Sequence, residues 1–152
     1  DSRSPVEMIF DQGLGDLFVV RVAGNVVDSS LLASIEFAAA NFGSATVLVL
    51  GHTLCGAVRA TILQCQNPSN KLPSPHLEHL VEKIQPSVKY TMKTCAHDDA
   101  ELLKQSTKEN VRRSMAMITE QSLIIRNLMD AGKISLEGAI LDIATGQVDF
   151  LE

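Results

Sequence analysis

Val47-Leu48-Val49-Leu50-Gly51-His52-Thr53-Leu54-Cys55-Gly56 is the stretch that decides how this chain folds. It begins as an apolar, partly β-branched run, the composition of a strand buried on both faces. The run stops at Gly51. His52 and Cys55 follow three apart, with Gly56 just behind, and Ala57 to Leu63 can continue as a helix. A buried strand that delivers a His-x-x-Cys pair onto a strand-to-helix turn is half of a zinc site. The competing reading is a buried thiol near a surface imidazole. Two ligands are not a site, so further ligands have to come from elsewhere in the chain.

Upstream, Leu17 to Gly24 (Leu-Phe-Val-Val-Arg-Val-Ala-Gly) reads as a second strand, apolar except for Arg21 and therefore also buried on both faces. Arg21 is read as a structural ion pair near a strand end. Asp28 or Ser29 can cap a helix from about Ser30 to Phe42, with Leu31, Leu32, Ile35, Ala38, Ala39 and Phe42 at helical spacing and Gly43 as its stop. Strand, helix, strand is a βαβ unit, so the two strands are expected to be parallel with a right-handed crossover. The His-x-x-Cys turn then lies at the carboxyl end of a parallel strand, the edge at which open α/β sheets bind ligands.

The rest of the chain supplies the flanks. Val6 to Phe10 can form one or two helical turns with Pro5 near the first position, and Asp11 to Asp16 reads as a loop with two glycines. Gln64 to Pro75 reads as an exposed loop. Ser74 to about Cys95 is expected to be mostly helical, with Pro86 forcing a break or kink. His76 and His79, three apart near its start, are read as solvated residues rather than ligands. Asp98 or Asp99 caps a long helical region that reaches about Ala131 and ends at Gly132. Its apolar stripe is Val111, Met115, Ile118, Leu123, Ile125 and Leu128, the pattern of a core or subunit interface. Ile134 to Ile143 reads as a strand, Ala144 to Gln147 as a turn and Val148 to Leu151 as a last strand, together a hairpin at the sheet edge.

Composition narrows the function class. The chain has 152 residues, 45% hydrophobic and 20% charged, which suits one α/β domain with a real core. Its net charge is −5, from 13 Lys and Arg against 18 Asp and Glu, so there is no basic surface for nucleic acid. No apolar run approaches the roughly 20 residues that span a bilayer. The three cysteines, Cys55, Cys65 and Cys95, are odd in number and irregular in spacing. That argues against a disulfide framework and for metal ligation or a reducing compartment, with the cytoplasm expected.

Four pieces of the sequence, in order, resemble the β-class carbonic anhydrases. Asp1-Ser2-Arg3 looks like the end of that family's Cys-x-Asp-x-Arg motif. Asp16-Leu17-Phe18-Val19-Val20-Arg21-Val22-Ala23-Gly24-Asn25 is similar to its Gly-Asp-Leu-Phe-Val-x-Arg-x-Ala-Gly-Asn segment. Gly51-His52-Thr53-Leu54-Cys55-Gly56 matches its His-x-x-Cys-Gly motif. Gly138-Ala139-Ile140-Leu141-Asp142 with Thr145-Gly146 looks like its C-terminal Gly-x-x-Tyr-Asp-x-x-Thr-Gly hairpin, with Leu141 where Tyr is common.

The resemblance implies an α/β fold, a mostly parallel sheet flanked by helices with a C-terminal antiparallel edge hairpin, as a single domain over residues 1–152. It implies Zn2+ held by two Cys and one His, of which His52 and Cys55 match two. The third ligand would be a cysteine two residues before Asp1, on a first strand inside the sheet, so the domain is expected to be N-terminally incomplete. The implied activity is reversible hydration of carbon dioxide to bicarbonate and a proton by a zinc-bound hydroxide. Asp1 would accept the hydrogen bond of that hydroxide, and Arg3 would hold Asp1 in a charge-assisted pair. Some members have a resting form in which this Asp ligates zinc and the Asp–Arg pair is broken. Gln12 is carried forward as a carboxamide donor to bicarbonate, one position out of register with a Gln of plant-type members. The absence of Trp implies that an inhibitory bicarbonate pocket found in one subgroup is absent. Family members are dimers or higher assemblies, so a homodimer or homotetramer is expected, with the Met-bearing helices and Phe42 among the contacts. Two alternatives remain: a carbon disulfide or carbonyl sulfide hydrolase on the same scaffold, and a non-catalytic relative with an incomplete site.

Overall fold

A computed structural model describes residues 1–94 and 98–152. Cys95 lies outside the described residues. The elements are α1 (Val6–Ile9), a 3-10 turn (Ala23–Asn25), α2 (Ser29–Asn41), β1 (Thr46–His52), α3 (Gly56–Gln66), α4 (Pro75–Thr94), α5 (Asp99–Gln121), α6 (Leu123–Asp130), β2 (Ser135–Leu141) and β3 (Val148–Phe150). The sheet order is β1-β2-β3. β1 and β2 are parallel, from Thr46 opposite Ser135 to His52 opposite Leu141. β2 and β3 form the antiparallel edge hairpin, Leu141 facing Val148.

β1 is buried on both faces by the alternation of its side chains. Val47 and Val49 join the cluster that includes Val111, Ile118 and Ile140, while Leu48 and Leu50 join Ala139, Leu141 and the α1 residues Val6 and Ile9. Gly51 lets α5 sit close on the sheet. A Cβ there would lie 2.7 Å from Val111 Cγ2 and 3.1 Å from Ile140 Cδ1. A second core of Cys55, Val58, Ile62, Ile84, Val88 and Leu102 packs α3, α4 and α5 together beside the sheet. Burying each such side chain contributes about 1.5–3 kcal/mol.

Leu17 to Val22 is not a strand. The segment is extended but has no ladder partner, and among the described residues its backbone link is the bond from Ser2 N–H to the Val22 carbonyl, 2.9 Å. It forms one wall of a groove of about 570 Å3 whose other wall is β1. The expected parallel pair therefore forms between β1 and β2 instead. Among the described residues Arg21 makes no ion pair; its Nη2 donates to the Ser2 carbonyl at 2.6 Å.

The helical expectations hold with two changes. Asp28 caps α2 through bonds from Ser30 and Leu31 N–H, and Gly43 follows at φ 64°. α4 runs on through Pro86 without breaking. The long region after Asp98 divides at Ser122, whose φ and ψ of −105° and 107° are not helical. Its hydroxyl accepts from Ile125 N–H and donates to Glu36 Oε1 at 2.6 Å, so the break is held by a cap and by α2. The break removes Leu123 from the apolar stripe and leaves it 63% exposed, while Val111, Ile118 and Ile125 are fully buried. No described helix is long and apolar enough to cross a membrane.

Candidate metal centre

β1 ends on His52, and α3 begins just after Cys55, so the strand and the helix fix the two side chains from opposite sides of a short turn. The turn is tied to the sheet. Thr53 N–H donates to the Leu141 carbonyl at 2.8 Å, and the Thr53 hydroxyl accepts from Ile143 N–H at 3.1 Å. Leu54 adopts a left-handed φ of 57°. A branched side chain there costs about 1–2 kcal/mol, so tertiary contacts enforce the turn that brings Cys55 back toward His52.

Asp1 completes the group. Its nitrogen donates to the Leu50 carbonyl at 2.9 Å, docking the N-terminal segment on β1. Asp1 Oδ1 lies 3.2 Å from His52 Nε2, and Cys55 Sγ lies 3.5 Å from Asp1 Oδ2. The His52 and Asp1 side chains are 1% and 3% exposed. Carboxylate oxygen, imidazole nitrogen and sulfur all fall within 4.8 Å of one another.

The hydrogen-bond pattern brings three donor atoms to face one another. His52 Nδ1 is 2.7 Å from the Thr53 carbonyl, an acceptor, so Nδ1 carries the hydrogen. In the neutral ring the Nε2 lone pair then faces the Asp1 carboxylate, and two acceptors and a sulfur converge in a buried place. A proton or a metal ion must sit among them. For the Cys55 thiol, burial is the largest influence and would push it up. The hydrogen bond with His52, the Val58 amide, the electrostatic influence of His52 and the Ala57 amide together outweigh it and hold the thiol below its ordinary value. The two amides are the first turn of α3, whose positive end favours thiolate. A carboxylate, an imidazole with its second nitrogen anchored on a carbonyl, and a thiol disposed to ionise form a donor set that fits zinc.

Arg3 and Gln12 are placed differently from expectation. Arg3 is exposed, and only its backbone N–H reaches Asp1, at 3.1 Å to Oδ1; no Asp1–Arg3 ion pair forms among the described residues. The carboxylate is held instead by the Gly24 N–H, 2.6 Å from Oδ2. Gln12 is exposed on the groove, and its Nε2 donates to the carbonyls of Phe10 and Asp11, so its amide is occupied by its own loop. His76 and His79 are exposed on α4, away from the centre. Sequence reasoning missed Gly24 as a contact to Asp1, although an Ala-Gly-Asn after an apolar run signals a left-handed turn. It also missed the polar row Ser106, Asn110 and Ser114 at four-residue spacing on α5, all buried beside the apolar stripe.

The sequence and the fold have counterparts. The carbonic anhydrase family profile matches residues 1–148. A carbonic anhydrase of Mycolicibacterium smegmatis is 34% identical over 149 residues, covering 98% of this chain and 69% of the relative. Carbonic anhydrase 2 of Mycobacterium tuberculosis is 34% identical over 147 residues, covering 97% and 68%. Among solved structures, a β-carbonic anhydrase of Aspergillus fumigatus superposes with a TM-score of 0.87 at 24% identity, over 100% of this chain and 71% of that one. Tetrameric β-carbonic anhydrases of Sordaria macrospora give 0.84 at 22% identity, over 99% and 76%. With the sequence matches carrying the family and the superpositions the fold, this chain belongs to the carbonic anhydrases, the carbonate dehydratases, in their β-class architecture.

Proposed function

We propose that the chain hydrates carbon dioxide at a zinc ion held by His52 Nε2 and Cys55 Sγ, with the Asp1 carboxylate beside it. The observation that carries this reading is the convergence of the three donor atoms within 4.8 Å in a buried place. The resemblance assigns the remaining protein ligand to a cysteine two positions before Asp1. Zinc, when bound, acts as a Lewis acid that brings the pKa of water down to about 7.

The chain's own residues do the rest. Asp1 would accept a hydrogen bond from the attacking oxygen and so aim its lone pair at the carbon of carbon dioxide. The Gly24 N–H holds that carboxylate in register. Asp1 inside the donor set, with no ion pair to Arg3 among the described residues, supports the resting form in which this Asp would ligate the metal and the Asp–Arg pair is broken. Activation would then require Asp1 to turn Oδ1 from His52 to Arg3 while Oδ2 keeps its bond from the Gly24 N–H. Gln12 would have to release Phe10 and Asp11 before it could donate to bicarbonate.

The reading extends to assembly and location. Phe18, Phe37 and Phe42 form an exposed cluster with centroids 5.7–6.4 Å apart, which supports a homo-oligomer built partly on that face. Light scattering tests this, a monomer at micromolar concentration overturning it. A reducing compartment such as the cytoplasm suits the free Cys55 and Cys65 thiols. Cell fractionation tests that placement, and recovery in a secreted fraction refutes it.

Metal analysis of the purified protein, paired with a carbon dioxide hydration assay, tests the central reading. One zinc per chain and measurable hydration are expected, with both lost in His52→Ala and Cys55→Ser. Zinc-free protein that stays inactive after zinc is added would refute it. So would zinc-loaded protein that hydrolyses carbon disulfide or carbonyl sulfide but leaves carbon dioxide unhydrated.

A further inference from the structure

We propose that Asn110 is a positioning residue for the Asp1 carboxylate, acting through the backbone of the Gly24–Asn25 turn. Asn110 lies on α5, 2% exposed, far from Asp1 in sequence. Its Nδ2 donates to the Gly24 carbonyl at 2.7 Å. Its Oδ1 has only a long contact, 3.4 Å, from the Ser87 hydroxyl of α4, so the short bond to Gly24 is what orients the amide. One helical turn on, the Ser114 hydroxyl donates to the Asn25 carbonyl at 2.8 Å. Two consecutive carbonyls are thus clamped from one face of α5.

The turn needs a clamp. Gly24 and Asn25 have φ of 71° and 42°, both left-handed; Gly and Asn each tolerate that region, but as single residues rather than in succession. Gly24 is also fitted tightly, since a Cβ on it would lie 2.6 Å from Ile84 Cδ1. The same Gly24 whose carbonyl Asn110 holds sends its N–H to Asp1 Oδ2 at 2.6 Å. A rigid helix therefore sets the direction of the N–H that orients the carboxylate. Small errors in such placement can lower rates by up to about a hundredfold. A purely structural Asn110 would only satisfy a buried carbonyl. A positioning Asn110 also governs where Asp1 points.

The catalytic part of this inference rests on the zinc reading above; the clamp on the Gly24 amide does not. The test uses the purified protein with Asn110→Leu, Ser114→Ala and Ser87→Ala. The readouts are the Gly24 amide by 15N NMR, its hydrogen exchange, zinc content and hydration kinetics. Asn110→Leu is expected to shift the Gly24 amide upfield and raise its exchange about tenfold. It should lower kcat about tenfold with KM within about twofold and zinc retained. Ser114→Ala shifts the same amide less, in the same direction. Ser87→Ala, which leaves the bond to Gly24 intact, lowers the melting temperature without moving the amide or kcat. An unmoved Gly24 amide in folded Asn110→Leu overturns the proposal, as does an equal shift in Ser87→Ala. Should Asn110→Leu fail to fold, the contrast between Ser114→Ala and Ser87→Ala decides in the same way. If the parent protein binds no zinc and hydrates no carbon dioxide, the zinc reading fails while the amide shifts still decide the clamp.

Discussion

Two apolar runs in this molecule look alike and behave differently. Val47 to Leu50 lies in β1, paired along its length with β2, half buried at Val47 and Leu48 and buried at Val49 and Leu50. Leu17 to Val22 is as apolar, apart from Arg21, yet it stays extended without a ladder, with Val19 and Val20 only half buried. Strand propensity measures fit to a pleated, half-buried surface, and that surface has to be provided by a neighbour. β1 has β2 on one side; on its other side the groove intervenes. The catalytic geometry follows the same division. His52 and Cys55 are fixed by paired strand and packed helix, whereas Asp1 is held by single bonds to Leu50 and Gly24.

The contrast can be broken most forcefully at Gly51. Gly51→Val drives a side chain into Val111 and Ile140, backed by the sheet, and is expected to lower stability by roughly 3 kcal/mol in urea unfolding. Val20→Leu, on the groove wall, should change it by less than about 1 kcal/mol. Equal effects would mean that both runs are equally packed. A milder version compares Val49→Ala, expected to cost about 2 kcal/mol, with Val19→Ala, expected to cost under about 1. Hydrogen exchange sharpens it: the Val49 amide should be protected and the Val19 amide not. A protected Val19 amide would show that the segment has found a strand partner.

Leu54 tests how the paired side enforces the ligand turn. Leu54→Gly removes a left-handed leucine that is 68% exposed, so little packing is lost. Stability should rise by about 1 kcal/mol, read as a higher melting temperature. A fall would show that the Leu54 side chain contributes more than its backbone strain costs.

The smallest effect lies at the hairpin that closes the paired side. The backbone N–H groups of Ala144 and Thr145 bond to Asp142 and hold its carboxyl below the ordinary 3.8. A depressed folded value means that this contribution is complete above the ordinary value and is lost as pH falls through the folded one. Asp142→Asn should flatten part of the acid limb of a melting curve followed from about pH 5 to 2. An unchanged acid limb would assign acid sensitivity to other groups.

Much of the site was legible in local spacing, because local chemistry writes itself into spacing. An apolar run followed by His-x-x-Cys-Gly predicts a strand, a turn and a helix start, and β1, the Leu54 turn and α3 follow that order. The Asp28 cap and the hairpin at Asp142 are local in the same sense. The division at Ser122 escaped because it depends on Glu36 of α2 accepting a hydrogen bond there. Which of the paired and unpaired Asp1–Arg3 forms is present was not legible, because nothing in Asp1-Ser2-Arg3 states that the Gly24 N–H and His52 occupy the carboxylate.

By itself, then, the sequence determined most of the elements, the His52 and Cys55 pair and the family, since these depend on residues close along the chain. Only the tertiary structure decided which run became a strand, that Asp1 meets both ligands, and that Asn110 and Ser114 clamp the turn behind it. Those outcomes join groups 49 to 89 residues apart, and a buried donor or carbonyl takes whichever partner the packing brings within reach.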